Sequence, residues 1–164
     1  MVHLIPMTES EFQAYLQTAV REYAEEHVRA GNWHPADALE KSEKEFQKIL
    51  PNGPATPDQY LYMIEDETPA KVGLIWLAAM NQGAQRCAFI YDFMIYESFR
   101  RKGYGQQALL AVEEKVKVLG LDTISLHVFG HNQAAIALYE KAGYEITNIN
   151  MSKKLNATGN IQNP

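Results

Sequence analysis

The sequence predicts an α/β fold: helices covering one mixed sheet, antiparallel in its first half and completed by a β-α-β crossover in its second. Three observations carry this. Up to Leu50 the apolar residues recur at helical spacing; from Gln59 they form β-branched and aromatic runs separated by short turns; after Gly103, helices and strands alternate.

Each element follows from its residues. "VHLIPM" reads as a short first strand, and Thr8 or Ser10 offers an N-cap to the helix that follows. Phe12, Leu16, Ala19, Tyr23 and His27 give that helix an apolar face ending near Gly31. "GNWHPAD" is a break, and Pro35 or Asp37 opens a second, polar helix running to Leu50. "PNGPATPD" is turn-rich and too short to divide domains. "QYLYMIED" and "KVGLIWLAAM" make an antiparallel hairpin across "ETPA". After "NQGAQR", the run "CAFIYDFMIY" is long enough for a central strand covered on both faces. Leu109, Val112, Val116 and Leu119 form a helical stripe capped by Gly120. "DTISLHVF", "NQAAIALYEKAG" and "YEITNINMSKKL" then read as strand, helix and last strand. Residues 1–155 are expected to form a single domain, and 156–164 a disordered tail.

Composition excludes several functions. A net charge of -5 argues against a nucleic-acid partner, which needs a basic face. The single Cys87 rules out a disulfide framework or a cysteine zinc cluster, and the scattered histidines suggest no metal site. His127 and His131 are four apart, but "VFG" between them reads as a strand end and turn, so they share no helical face. No apolar run approaches the roughly 20 residues that span a bilayer, and no secretory signal opens the chain, so the expectation is a cytoplasmic protein without a membrane partner.

The chemistry concentrates in "FRRKGYGQQALL", where Arg100, Arg101 and Lys102 meet Gly103 and Gly105 at a strand-to-helix turn. A helix start has unpaired N–H donors and a partial positive charge, and glycine lets a ligand approach them, so this is a place for phosphate. "GYGQQA" formally fits a dinucleotide fingerprint, yet that motif belongs to a first β-α-β unit and needs an acidic residue about 20 positions on. Here the next strand ends in His127 and Val128. The nucleotide-hydrolase pattern G-x-x-x-x-G-K-[ST] is absent. A third reading is coenzyme A, whose pyrophosphate and ribose phosphate would explain the cations; the plain alternative is a glycine turn with surface cations.

"RRKGYG" resembles the R/Q-x-x-G-x-G/A motif of the GCN5-related N-acetyltransferase (GNAT) superfamily. "LHVFGHNQAAIALYEKAGY" is similar to that family's second block, and the two come in the family's order, covering roughly Cys87 to Leu155. The resemblance implies the GNAT fold, with two central parallel strands splaying apart, and acetyl-CoA as co-substrate with no metal. It implies that the pantetheine arm pairs with the backbone of Phe93, Met94 and Ile95. The pyrophosphate would lie against N–H groups of Arg101, Lys102, Gly103, Tyr104, Gly105 and Gln106, with the Arg100 and Lys102 side chains nearby. Asn132 is either an N-cap or also a hydrogen-bonding group for the cofactor arm, two roles competing for one carboxamide, and Ala135 belongs to the same binding set. Tyr139, about two helical turns on, becomes the general acid toward the departing thiolate.

The implied reaction is direct transfer to a primary amine of a small molecule or peptide, a backbone N–H near Met94 or Ile95 polarising the carbonyl. Cys87 is expected to be a buried small hydrophobe. The base is expected at Asp92 or Tyr91 through water, Tyr91 sharing the face of Phe93 and Ile95. The position aligned with the glutamate of some relatives is Phe89, so that version of the base is absent. Trp33, His34 and Trp76 are candidate acceptor contacts, the two tryptophans reading equally well as packing residues. Dimers are frequent among the family's members, which leaves a homodimer open, with nothing in this sequence locating an interface, and the alternative function is a non-catalytic acyl-CoA sensor of the same fold.

Overall fold

The structure, a computed structural model, describes residues 1–155; the tail expected at 156–164 lies outside the described residues. Strand β1 (His3–Pro6) leads into helix α1 (Glu9–Arg29) through Thr8. Thr8 and Glu11 form a reciprocal capping box, so two helix-start donors are satisfied by side chains three residues apart. Helix α2 (Ala38–Ile49) returns alongside, pinned where the buried Ser42 hydroxyl donates to the Val20 carbonyl at 2.6 Å.

Strands β2 (Gln59–Glu65), β3 (Lys71–Gln82) and β4 (Gln85–Ile95) follow as antiparallel neighbours. Helix α3 (Tyr104–Val118) crosses over to β5 (Ile124–Leu126), parallel to β4, and α4 (Gln133–Lys141) comes next. The sheet order is β1-β2-β3-β4-β5.

Two cores flank this sheet. On one face Ile64, Val72, Ile75, Leu77 and Ile90 meet Ala108, Leu109, Val112 and Val116 of α3, with Leu138 and Tyr139 of α4 at the margin. On the other, Leu61, Met63, Leu74 and Trp76 meet Phe12, Tyr15 and Ala19 of α1 and Phe46 of α2. From Leu74 to Leu77 alternate residues of β3 serve opposite layers, as a period of two requires, whereas a register shift against β2 leaves Val72 extra and puts it on the side opposite Leu74.

The structure corrects the expected C-terminal sheet in two places. "YEITNINMSKKL" is not a strand: Ile146, Ile149 and Met151 are 62%, 70% and 91% exposed. Ile146 and Ile149 have opposite parity, so an extended chain there has no single apolar face to bury. Strand β5 is also shorter than "DTISLHVF", because the chain peels off after Leu126 to place the Phe129 ring 5.2 Å from His27 on α1. Among the described residues no helix is long and apolar enough to cross a membrane.

Candidate active site

The centre of the site is a fault in β4. Leu77 pairs with Ile90 and Trp76 with Asp92, leaving Tyr91 as an extra residue in a β-bulge. Asp92, paired with Trp76, therefore faces α1, where it accepts a hydrogen bond from the Tyr15 hydroxyl at 2.9 Å. Tyr91 packs on the same side, stacked 4.5 Å from Trp76, whereas Phe93 and Ile95 belong to the α3 side. The expectation that Tyr91 shares the face of Phe93 and Ile95 is thus overturned, since the inserted residue resets the alternation. Parallel pairing with β5 ends at Ile90–Leu126, so from Tyr91 to Ile95 that edge of β4 has no strand partner among the described residues.

Burial raises the Asp92 carboxyl above the usual carboxylate range, and Glu22 adds to the effect, while the Tyr15 hydroxyl and the Phe93 N–H oppose it. The Tyr15 phenol is driven well up by burial and by that same carboxylate.

At the far end of β4 the chain turns into α3. Gly103 caps the helix at φ 82°, and Arg101 sits at φ 62° in the left-handed region. The first N–H groups of α3 have no intrahelical partner and point out of this turn. The flanking cations face the turn's own carbonyls: Arg100 Nε donates to the Ile95 carbonyl at 2.9 Å and Lys102 Nζ to that of Ser98 at 3.0 Å. Gly105 packs closely as well as giving access: a Cβ there would lie 3.0 Å from the Leu138 Cδ2 of α4, so that side chain would have to give way. The Tyr104 hydroxyl donates to Asp66 Oδ2 at 3.0 Å, while Asp66 Oδ1 accepts from Thr68 and Ala70 across the β2–β3 turn. These bonds, with the Thr68 side chain contributing most, hold the Asp66 carboxyl down at about 2.

Helix α4 supplies the third side. Asn132 is its N-cap, its side chain accepting from the Ala135 N–H at 3.2 Å. That occupies the carboxamide oxygen and the Ala135 N–H but leaves the Asn132 NH2 group, so the cap does not exhaust the side chain. The Tyr139 ring lies 6.4 Å from Phe93 and 5.5 Å from Tyr144. Burial first, then Tyr144 and Asp92, raise the Tyr139 phenol above its ordinary value, so it stays protonated through the neutral range. Among the described residues the buried Tyr144 hydroxyl finds no partner, and burial pushes it up to about 12.

The three aromatic acceptor candidates are not brought together. Trp76 is 3% exposed, with Nε1 donating to Gln59 Oε1 at 2.7 Å, and is a core residue. Trp33 folds back onto α1, stacked 3.9 Å from His27. His34 is exposed and accepts from the Ala36 N–H at 3.1 Å within its own turn. Cys87 is 1% exposed. A groove of about 470 Å³ lies under α1, lined by Tyr15, Glu22, Met94 and Tyr96 among others. A larger one, about 580 Å³, lies between α1 and α2, and neither Asp92 nor Tyr139 lines it. Sequence reasoning missed Tyr15, Asp66, and the Glu26–His131 contact that joins α1 to the loop before Asn132. Tyr15 and Asp92 are 77 positions apart, and no spacing rule links them.

Known proteins share this sequence pattern and fold. The model of the acetyltransferase (GNAT) family matches residues 14–144. The uncharacterized N-acetyltransferase YycN of Bacillus subtilis is 44% identical over 154 residues, covering 94% of this chain and 99% of the relative. YdgE of the same organism, also an uncharacterized N-acetyltransferase, is 40% identical over 149 residues, covering 91% and 95%. The crystal structure of YycN superposes with a TM-score of 0.90 at 43% identity, covering 96% of this chain and all of that one.

Proposed function

The chain belongs to the acetyltransferase (GNAT) family, and from that premise we propose that it moves the acetyl group of acetyl-CoA directly to a primary amine, with Asp92 and Tyr139 as the two proton-handling groups. The observation that carries the reading is their convergence on one stretch of β4. Asp92 leaves the strand toward α1, Tyr139 approaches Phe93 from α4, and the Asp92 charge still reaches the Tyr139 phenol.

The residues present fit a coenzyme A arm. The open edge of β4 at Phe93, Met94 and Ile95 offers backbone groups, and the Asn132 NH2, left over by the cap, is a further donor. The N–H groups from Arg101 to Gln106 suit a pyrophosphate, with Arg101 exposed beside them. Arg100 and Lys102 brace the turn through the Ile95 and Ser98 carbonyls, so their part is to hold its shape as much as to supply charge. When bound, acetyl-CoA supplies an activated acetyl thioester.

The proton steps follow from the side chains. An alkylammonium has a pKa of about 10.4, so the acceptor must lose a proton before it attacks. Asp92, enclosed and raised, takes that proton at its carboxylate, directly or through water. Tyr139 keeps its proton on Oη and offers it where sulfur departs. A backbone N–H near Met94 or Ile95 stabilises the developing oxyanion. No covalent enzyme intermediate is needed, and the buried Cys87 is unsuited to form one. The acceptor is an amine of a small molecule or peptide, approaching from the α1 side of β4.

Thiol release from acetyl-CoA across a panel of alkylamines, diamines and peptides with free amino groups tests this. At least one amine is expected to be turned over, and Tyr139→Phe to lower kcat by about 10²–10⁴ while coenzyme A still raises the melting temperature. Coenzyme A binding without thiol release from any amine would instead identify a sensor.

A further inference from the structure

Tyr15 is a buried residue of α1, and its ring would pack equally well without a hydroxyl. A buried hydroxyl needs a partner, and most side-chain hydrogen bonds go to backbone or water. This one finds a carboxylate on a different element, at the single place where β4 is bulged. The same ring lines the groove under α1, so Tyr15 connects the Asp92 carboxylate to the space on the acceptor side.

We propose that Tyr15 is a positioning residue for the acetyl transfer: its hydroxyl, donating to Oδ2, holds the Asp92 carboxylate in the orientation and charge state that receive the acceptor's proton. The inference rests on Asp92 being that proton acceptor, and adds what makes it one.

The groups facing Asp92 define the balance. From α1 come the Tyr15 hydroxyl and, two helical turns on, the Glu22 carboxylate; from β4 the Phe93 N–H and the neighbouring Tyr91; the Asp92 charge is also felt by the Tyr139 phenol of α4, which packs on the other side of the sheet. Tyr15 and the Phe93 N–H favour the ionised carboxylate, while burial and Glu22 disfavour it. Because the Tyr15 phenol is itself driven far up, Asp92 is the member of the pair that titrates, and Tyr15 donates throughout the working range. Without the hydroxyl, the carboxyl keeps its burial and its acidic neighbour and loses a stabilising donor, so it ionises at higher pH.

The test uses the full chain carrying 13C-labelled aspartate side chains, with the Asp92 carboxyl resonance assigned by its disappearance in Asp92→Asn. Tyr15→Phe, shown folded by its melting curve, is expected to shift the Asp92 titration midpoint upward. The acid limb of the kcat/KM profile should move by the same amount, activity on that limb falling by the factor by which the ionised fraction falls. A purely structural role would change stability and leave the midpoint in place. An unmoved or lowered midpoint overturns the role of Tyr15 and leaves Asp92 as the proton acceptor. Retained activity in Asp92→Asn overturns the Asp92 assignment and the role of Tyr15 with it, even if the midpoint moves.

Discussion

The tightest point in the sheet gives a sharp test of how the end of β4 is set. Gly73 of β3 pairs with Ile95, and a Cβ added there would overlap the Met94 carbonyl oxygen and lie 3.1 Å from Ile95 Cα. Both obstacles include backbone, so no side-chain rotation relieves the overlap in Gly73→Ala. The end of β4 must move away from β3, straining the Tyr96 N–H to Val72 carbonyl bond of 2.9 Å just beyond. Overpacking of this kind costs about 1–3 kcal/mol. Stiffening of the unfolded chain returns at most about 1 kcal/mol. At about 2–4 °C per kcal/mol for a chain of this size, the melting temperature should fall by several degrees. The same displacement shifts Met94 and Ile95, the backbone proposed to hold the cofactor arm, and misplacement on the order of 1 Å can cost about 10² in rate. Thermal unfolding and kcat/KM for acetyl-CoA are the measurements. Gly130→Ala, where a Cβ meets nothing within 4 Å, serves as the stability control and should stay within about 0.5 kcal/mol. If Gly73→Ala melts like the parent and keeps its kcat/KM, the close approach does not set the end of β4.

Two further outcomes separate roles that overlap in one side chain. Asn132→Asp preserves a capping oxygen but removes the NH2 donor, so stability should hold while KM for acetyl-CoA rises; Asn132→Ala should raise KM and also cost about 1 kcal/mol. An unchanged KM in Asn132→Asp would make Asn132 a cap and nothing more. Asp66→Asn weakens the anchor of the glycine turn, and coenzyme A affinity measured by calorimetry should drop. Because the Asp66 carboxyl is held down at about 2, the stability it contributes is present above the ordinary carboxylate range and is lost as pH falls through about 2. The melting-temperature gap between parent and Asp66→Asn should therefore be full at pH 6 and close as the pH falls toward 2; a gap independent of pH would refute the role of the charge.

What the sequence made legible was local. The capping residue Thr8, the stripe Leu109, Val112 and Val116, and the glycine turn depend on neighbours a few positions away, and the structure places each as its pattern implied. What it concealed was non-local or small. The last strand failed because apolar content without consistent parity does not specify a face, as Ile146 and Ile149 show. Trp76 reads equally as an acceptor contact and a packing residue because periodicity cannot tell an aromatic that faces a cleft from one beneath α1 and α2. Gly73 looked like any glycine in a strand, since its necessity comes from a backbone on the neighbouring strand.

The bulge at Tyr91 was the costliest omission, and its physical meaning is larger than one misplaced side chain. In a regular strand, Asp92 would alternate with Tyr91 and Phe93. With an extra residue inserted, Tyr91 and Asp92 both face α1, and Phe93 and Ile95 then continue on the α3 side. One short stretch of strand thus presents a half-buried carboxylate to one layer and Phe93, beside Tyr139, to the other. The local loss of ladder pairing coincides with the end of the β4–β5 pairing at Ile90. An uninterrupted β4 would bury those backbone groups in sheet and turn its side chains strictly by alternation. On the proposed reading, the bulged strand meets an amine from the α1 face and a cofactor arm along its open edge, the arrangement that direct transfer between two bound molecules would require.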